Sequence, residues 1–155
     1  MASKAYRIIP VAGVRESNHR AIVFLEADDD KWVNAFHEFS KIQKAAKQKE
    51  YHDVSTRFDY WIDGNTHNLW FHGWSDPKYR NCFVFKWKRG GVNQRFYGFL
   101  CHPRASDLKF VACVLATYAT KSAHNTDEAI LDRINSLRVD NAVADATHAM
   151  FAQRN

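Results

Sequence analysis

Residues 82–100 read CFVFKWKRGGVNQRFYGFL, and this stretch decides the fold. Two runs rich in aromatic and β-branched residues flank Gly90-Gly91. That is the composition of a two-residue hairpin turn whose central residues both take positive φ. Around such a turn Arg89 pairs with Val92, Lys88 with Asn93, Trp87 with Gln94, Lys86 with Arg95, Phe85 with Phe96 and Val84 with Tyr97. Side chains alternate along a strand, so Phe83, Phe85, Trp87, Phe96 and Leu100 share a face with the character of a core. Lys86, Lys88, Arg95 and Tyr97 share the other. Lys86 then stands directly opposite Arg95, and like charges so opposed destabilise a sheet. A fold that carries this cost is expected to meet an anion there, either a phosphate or a partner's carboxylates. The plainer alternative is a solvated face whose lysines discourage edge pairing.

Downstream, LKFVACVLATYA (108–119) is a nearly continuous apolar run, expected to be a central strand with both faces covered. Upstream, RFDYWIDGNTHNLWFHGW (57–74) reads as two strands around the turn Asp63-Gly64-Asn65. KAYRIIPVA (4–12) holds a short strand ended by Pro10, and Ala21 to Leu25 a second. One of Asp28 to Asp30 is expected to cap a helix whose apolar face is Trp32, Ala35, Phe36, Phe39, Ile42 and Ala46. Lys41, Lys44, Lys47 and Lys49 read as its solvated side. Near the C-terminus Asn125 or Thr126 is a helix cap, followed by Asp127 and Glu128 at the positive helix end. Ile130, Ile134 and Leu137 form the buried stripe, which Val143, Ala146 and Met150 extend after a break near Asp140. The expected class is α+β, a mostly antiparallel twisted sheet with a central hairpin packed on helices. Residues 1–155 read as a single domain, with a core over about 20–138, an N-terminal extension and a C-terminal helix over 140–153.

The 155 residues are 46% hydrophobic and 25% charged, which excludes disorder over most of the length. Lys and Arg number 22 against 17 Asp and Glu, a net charge of +5, which permits a polyanionic partner. No apolar run approaches the ~20 residues that span a bilayer. MASKAYRIIPVAG lacks the apolar core of a secretory signal. The expectation is a cytoplasmic protein with no membrane partner. Cys82, Cys101 and Cys113 are odd in number and lack CxxC spacing, so they read as reduced thiols. His67 and His72 flank LWF at a spacing that is no zinc pattern, and neither a metal nor another cofactor is expected. Gly90-Gly91 opens no helix, so it is not a phosphate loop. Cys101 and His102 are adjacent on a strand and point to opposite faces, which argues against a catalytic pair.

Further polar groups are placed to join the basic hairpin face. His102 and Arg104 follow the hairpin, while Tyr118, Lys121 and His124 follow the last strand and precede a helix N-terminus. Gathered in one cleft, Lys, Arg, His and Tyr without a nearby carboxylate pair can stabilise an anion and move protons on a phosphodiester.

Two segments carry a family resemblance. RNCFVFKWKRGGVNQRFYGFL (80–100) and FVACVLATYATKSAHNTDEAI (110–130), in the order strand, helix, four-strand meander, lysine-bearing turn and helix, resemble the RelE/ParE superfamily of bacterial toxins, HigB-like branch. The resemblance covers about Trp32 to Leu137 and is most specific after Leu69. It implies a microbial-ribonuclease-like fold and a metal-independent endoribonuclease that cleaves mRNA at the ribosome and is neutralised by a cognate antitoxin protein. It also implies that Lys86 or Lys88 and Arg95 stabilise the scissile phosphate, with Arg89, His102 and Arg104 on the RNA. Tyr97 or Tyr118 would stack on a base or assist proton transfer. Lys121 matches the lysine after the final strand, and His124 follows it. The chain departs from the pattern in its extra terminal segments and in Thr120, which stands where a second lysine is usual. In the mechanism so implied the substrate's 2′-hydroxyl attacks its own phosphate, and His124, His102 or a tyrosine moves protons. The other readings are a non-catalytic binding protein, either ParE-like or a phage-type inhibitor of a host protein, and a nucleic-acid-binding module with stacking aromatics.

Overall fold

The hairpin forms in the expected register, from Arg89 against Val92 through Val84 against Tyr97. Gly90 and Gly91 take φ of +56° and +81°, the left-handed pair that a primed turn requires. The computed structural model describes residues 6–10, 17–27, 31–45, 48–104, 107–121 and 128–152. Its strands are β1 (Tyr6–Pro10), β2 (Arg20–Ala27), β3 (Phe71–Gly73), β4 (Cys82–Arg89), β5 (Val92–Cys101) and β6 (Val111–Lys121). Its helices are α1 (Ala35–Lys44), α2 (Gln48–Ile62), α3 (Glu128–Val139) and α4 (Asn141–Ala152). The class is α+β, and the six strands form one mixed sheet in the order β1-β2-β6-β5-β4-β3.

β3 to β6 are an antiparallel meander, whereas β2 runs parallel to β6. β6 thus lies inside the sheet, as its continuous apolar run predicts. One face carries Phe24, Phe85, Phe96 and Leu115 against Phe39 of α1 and Val54, Phe58 and Trp61 of α2. The rings meet edge to face, Phe58 against Phe85 at 4.9 Å and 84°. That geometry sets the positive ring edge against the negative π face. The opposite face buries Val84, Tyr97, Phe99 and Val114 beneath Ile130, Ile134 and Leu137 of α3 and Val143 and Phe151 of α4. The two C-terminal helices break at Asp140, whose Oδ1 accepts from the N–H groups of Ala142 (2.8 Å) and Val143 (3.2 Å) and caps α4.

Two local expectations are corrected. Residues 57–62 are no strand but the last turns of α2. Val54, Phe58, Trp61 and Ile62 recur at steps of four, three and one, which is a helical stripe once the frame starts upstream of Arg57. Gly64, at φ +89°, stands at the turn that follows α2, and only Phe71–Gly73 of the following run is a strand. The cap of α1 is Asn34, whose Oδ1 accepts from the Phe36 N–H at 3.0 Å, and not one of the aspartates at 28–30, which lie outside the described residues. The helix starts late because Val33 O accepts from the Tyr118 N–H at 2.9 Å, which holds the chain extended beside β6. Trp32 accordingly lies outside the helix, and Ala46 falls beyond the described residues.

β5 and β6 slip register between Tyr97 and Gly98, whose partners are Thr117 and Leu115, so Ala116 is an extra residue. The strands close tightly there. A Cβ built on Gly98 would lie 2.1 Å from the Val114 carbonyl oxygen.

Candidate functional site

The distal half of the α3 face escapes the helices and collects positive charge. Lys86 on β4 pairs across the ladder with Arg95 on β5, and Asn93 beside it pairs with Lys121 on β6. All of these side chains project from the face that carries Val84 and Tyr97. Lys86 is positioned on three sides. Its N–H donates to Trp70 O at 2.8 Å, its carbonyl accepts from Arg57 Nε at 2.6 Å, and its ammonium donates to Asn68 O at 2.8 Å. Burial and then the charges of Arg95 and Lys121 push the Lys86 pKa down. Burial and Arg95 lower that of Lys121. Arg95 Nε is buried and meets no hydrogen-bond acceptor among the described residues. Two lysines whose pKa values are lowered beside an arginine form an anion-seeking cluster.

A cleft of about 660 Å³ runs from this cluster around the open edge of β4, where β3 is too short to pair beyond Phe85. Lys49, Arg57, Lys86, Lys88 and Arg95 line it with one acid, Asp53. Lys86, Lys88 and Arg95 thus line one cleft, and Lys121 stands across β5 on the same face.

The other candidates are placed elsewhere. Tyr97 shares the expected face but is 1% exposed, in the cluster under α3 and against the Trp74 ring at 6.4 Å. The hairpin alone could not reveal this, because the covering helix lies more than thirty residues downstream. Tyr118 points to the other face, beside Trp87 and Phe96, and its hydroxyl donates to Gln94 Oε1. Arg89 also turns to that face, a consequence of alternation from Lys88. Its guanidinium donates to Glu50 Oε2 at 2.8 Å and to Glu38 Oε2 at 3.0 Å, and the Trp87 indole donates to Glu50 Oε2 at 2.7 Å. His102 donates through Nδ1 to Phe110 O at 3.2 Å and lines a separate cleft with Arg138 and His148. The Arg104 guanidinium lies 3.9 Å from the centre of the Phe110 ring. His124, like the cap at 125–127, lies outside the described residues.

Arg89 has a structural signature. The Glu38 and Glu50 side chains keep only 11% and 8% exposure, against 34% for Arg89. Arg89→Ala would leave the carboxylates of Glu38 and Glu50 without their cation, Glu50 keeping only the Trp87 indole. It should cost about 2 kcal/mol, below the range for a fully buried pair because Arg89 is partly in water. Lys88→Ala, one residue away and exposed, should stay within about 0.5 kcal/mol. Urea denaturation of the two variants checks the contrast.

His72 belongs to the basic face although its sequence spacing pointed to no role. It pairs with Val84, so it projects beside Lys86. Burial lowers its pKa, and the fields of Lys86, Arg95 and Lys121 lower it further. Burial raises the Cys82 thiol to about 11 and Cys101 to about 12, which lowers the reactivity of both. Among the described residues no three His, Cys, Asp or Glu side chains could hold a metal ion together. No described helix is long and apolar enough to cross a membrane. Comparison with protein-family models, curated proteins and solved structures finds no match to this chain.

Proposed function

We propose that this chain is the toxin of a toxin–antitoxin pair, a metal-independent endoribonuclease of the RelE/ParE kind that cleaves mRNA at the ribosome. The observation that carries the reading is the convergence of Lys86, Arg95 and Lys121 from three adjacent strands on one face, with Asp53 the one acid lining the cleft beside Lys86 and Arg95. The element order supports it: a strand, helices, an antiparallel meander, and a last strand returning beside the first core strand. The resemblance expects one helix and a four-strand meander before the last strand; α2 takes up residues 57–62, so three meander strands precede β6. In this reading Arg95 and Lys86 bear the charge that develops on the phosphate, and Lys121 extends the anion site. RNA fits because its own 2′-hydroxyl is the nucleophile, so the protein need supply neither nucleophile nor metal. Lys88 and the cleft beyond it follow the RNA backbone. An acidic antitoxin would neutralise the same face.

One observation favours a second reading, a non-catalytic grip on an acidic surface of a host protein. Of the proton carriers named by the resemblance, Tyr97 is buried, Tyr118 faces away and His102 lines another cleft. Cleavage separates the two. Purified protein incubated with ribosome-bound mRNA should cut it at full rate in excess EDTA, since no described ligand set needs a metal. Cleavage that stops in EDTA and returns with a divalent ion would overturn the metal-independent mechanism. Salt-sensitive RNA binding without cutting would favour the binding reading.

A further inference from the structure

We infer that His72 is the general base of this site, taking the proton from the RNA 2′-hydroxyl while Lys86, Arg95 and Lys121 hold the phosphate. The inference rests on the endoribonuclease reading and goes beyond it by naming the proton acceptor. His72 Nδ1 lies 2.8 Å from the Gly73 carbonyl oxygen. A carbonyl can only accept, so Nδ1 carries the hydrogen and Nε2 presents its lone pair. The Trp74 ring, 5.0 Å away and tilted by 62°, packs against the imidazole and restrains it.

The field around the ring then sets its state. By register His72 shares their face and lies diagonal to Lys86 on β4, with Arg95 on β5 and Lys121 on β6 beyond it, and among the described residues no carboxylate acts on it. Burial lowers the imidazole pKa most, the bond to Gly73 opposes it, and the three cations lower it further, which favours the neutral form that can accept a proton. The arrangement is also timed by substrate. A bound phosphate offsets the three positive charges, so the imidazole becomes more basic once the anion that needs deprotonation chemistry is in place. In the step itself the 2′-oxygen bonds to phosphorus and its proton passes to Nε2. The bond from phosphorus to the 5′-oxygen breaks, and that oxygen takes a proton from water. The product strand ends in a 2′,3′-cyclic phosphate, and the imidazolium returns its proton to the solvent.

His72→Asn is the discriminating variant, because the asparagine amide can still donate to the Gly73 carbonyl. With an unchanged melting temperature it should cleave RNA at least about a hundredfold more slowly and lose the acidic limb of the pH–rate profile. Its Kd for the same oligonucleotide, with 2′-deoxyribose at the cut, should stay within about twofold, because a proton acceptor adds little to ground-state binding. Cleavage within about threefold of the parent, with the acidic limb intact, would overturn the role of His72 and leave the endoribonuclease reading standing. A parent protein that cuts no RNA would overturn that reading, and the ring resonances would still decide the site. Cytidine 3′-monophosphate should raise the titration midpoint of His72 by about half a pH unit or more. A midpoint that stays put on saturation would show that no anion sits beside Nε2 and would overturn the inference.

Discussion

Arg95→Ala should lower RNA cleavage by a factor of about a hundred to a thousand while leaving the fold intact. Arg95 stands across from Lys86, and its Nε is buried without an acceptor among the described residues. A donor fixed in advance near a developing oxyanion contributes about 3 kcal/mol to the transition state. Its contribution to folding has the opposite sign. Removing it relieves the repulsion at Lys86, worth a few tenths of a kcal/mol for an opposed like pair, so the melting temperature should hold or rise slightly. Lys86→Ala should act in the same direction. Lys88→Ala, outside the pairing of Lys86 with Arg95, should cost far less rate. Growth arrest on expression, paired with a melting curve for each variant, reads both quantities. Full toxicity in both Arg95→Ala and Lys86→Ala would reduce this face to solvated surface.

Gly98→Ala should be the most destabilising single methyl in the sheet. The bulge at Ala116 brings the β6 backbone so close that the new Cβ would lie 2.1 Å from Val114 O and 2.8 Å from Leu115 Cα. Both are backbone atoms of an interior strand, so no side-chain rotation relieves the clash, and the two central strands must separate. The expected cost is about 4 kcal/mol or more, the tail of the distribution for point mutants. For a chain of this size that lowers the melting temperature by about 10 °C. Gly73→Ala is the control. There the nearest atom is Cys82 O at 3.4 Å, an ordinary contact, so its melting temperature should change by far less. Equal melting temperatures for the two variants would contradict the register shift.

The hairpin was legible because Gly90-Gly91 fixes a register and alternation then assigns every side chain to a face. β6 was legible because a strand apolar on both sides has few other places to go. α2 was misread because its stripe crosses Arg57, where an aromatic run invites a strand reading. The site was half legible for the same reason of range. Lys86, Lys88 and Arg95 lie within one hairpin, and Lys121 ends the next strand. The partners of Arg89 are not legible from the hairpin, because Glu38 and Glu50 sit on helices 51 and 39 residues upstream. Tyr97 was misassigned because α3, which covers it, arrives from downstream. The sequence spacing of His72 speaks only to metal ligation. Its place beside Lys86 depends on the pairing of β3 with β4 across an irregular connection that no spacing rule reads.

The most direct measurement is the chemistry of the cut ends. Ribosome-bound mRNA incubated with the purified chain in EDTA should yield 5′-fragments ending in 2′,3′-cyclic phosphate and 3′-fragments with a free 5′-hydroxyl. The doubly substituted Lys86→Ala, Arg95→Ala protein should yield neither. Intact mRNA with the parent chain, or the same ends at the same rate with the double variant, would contradict the account.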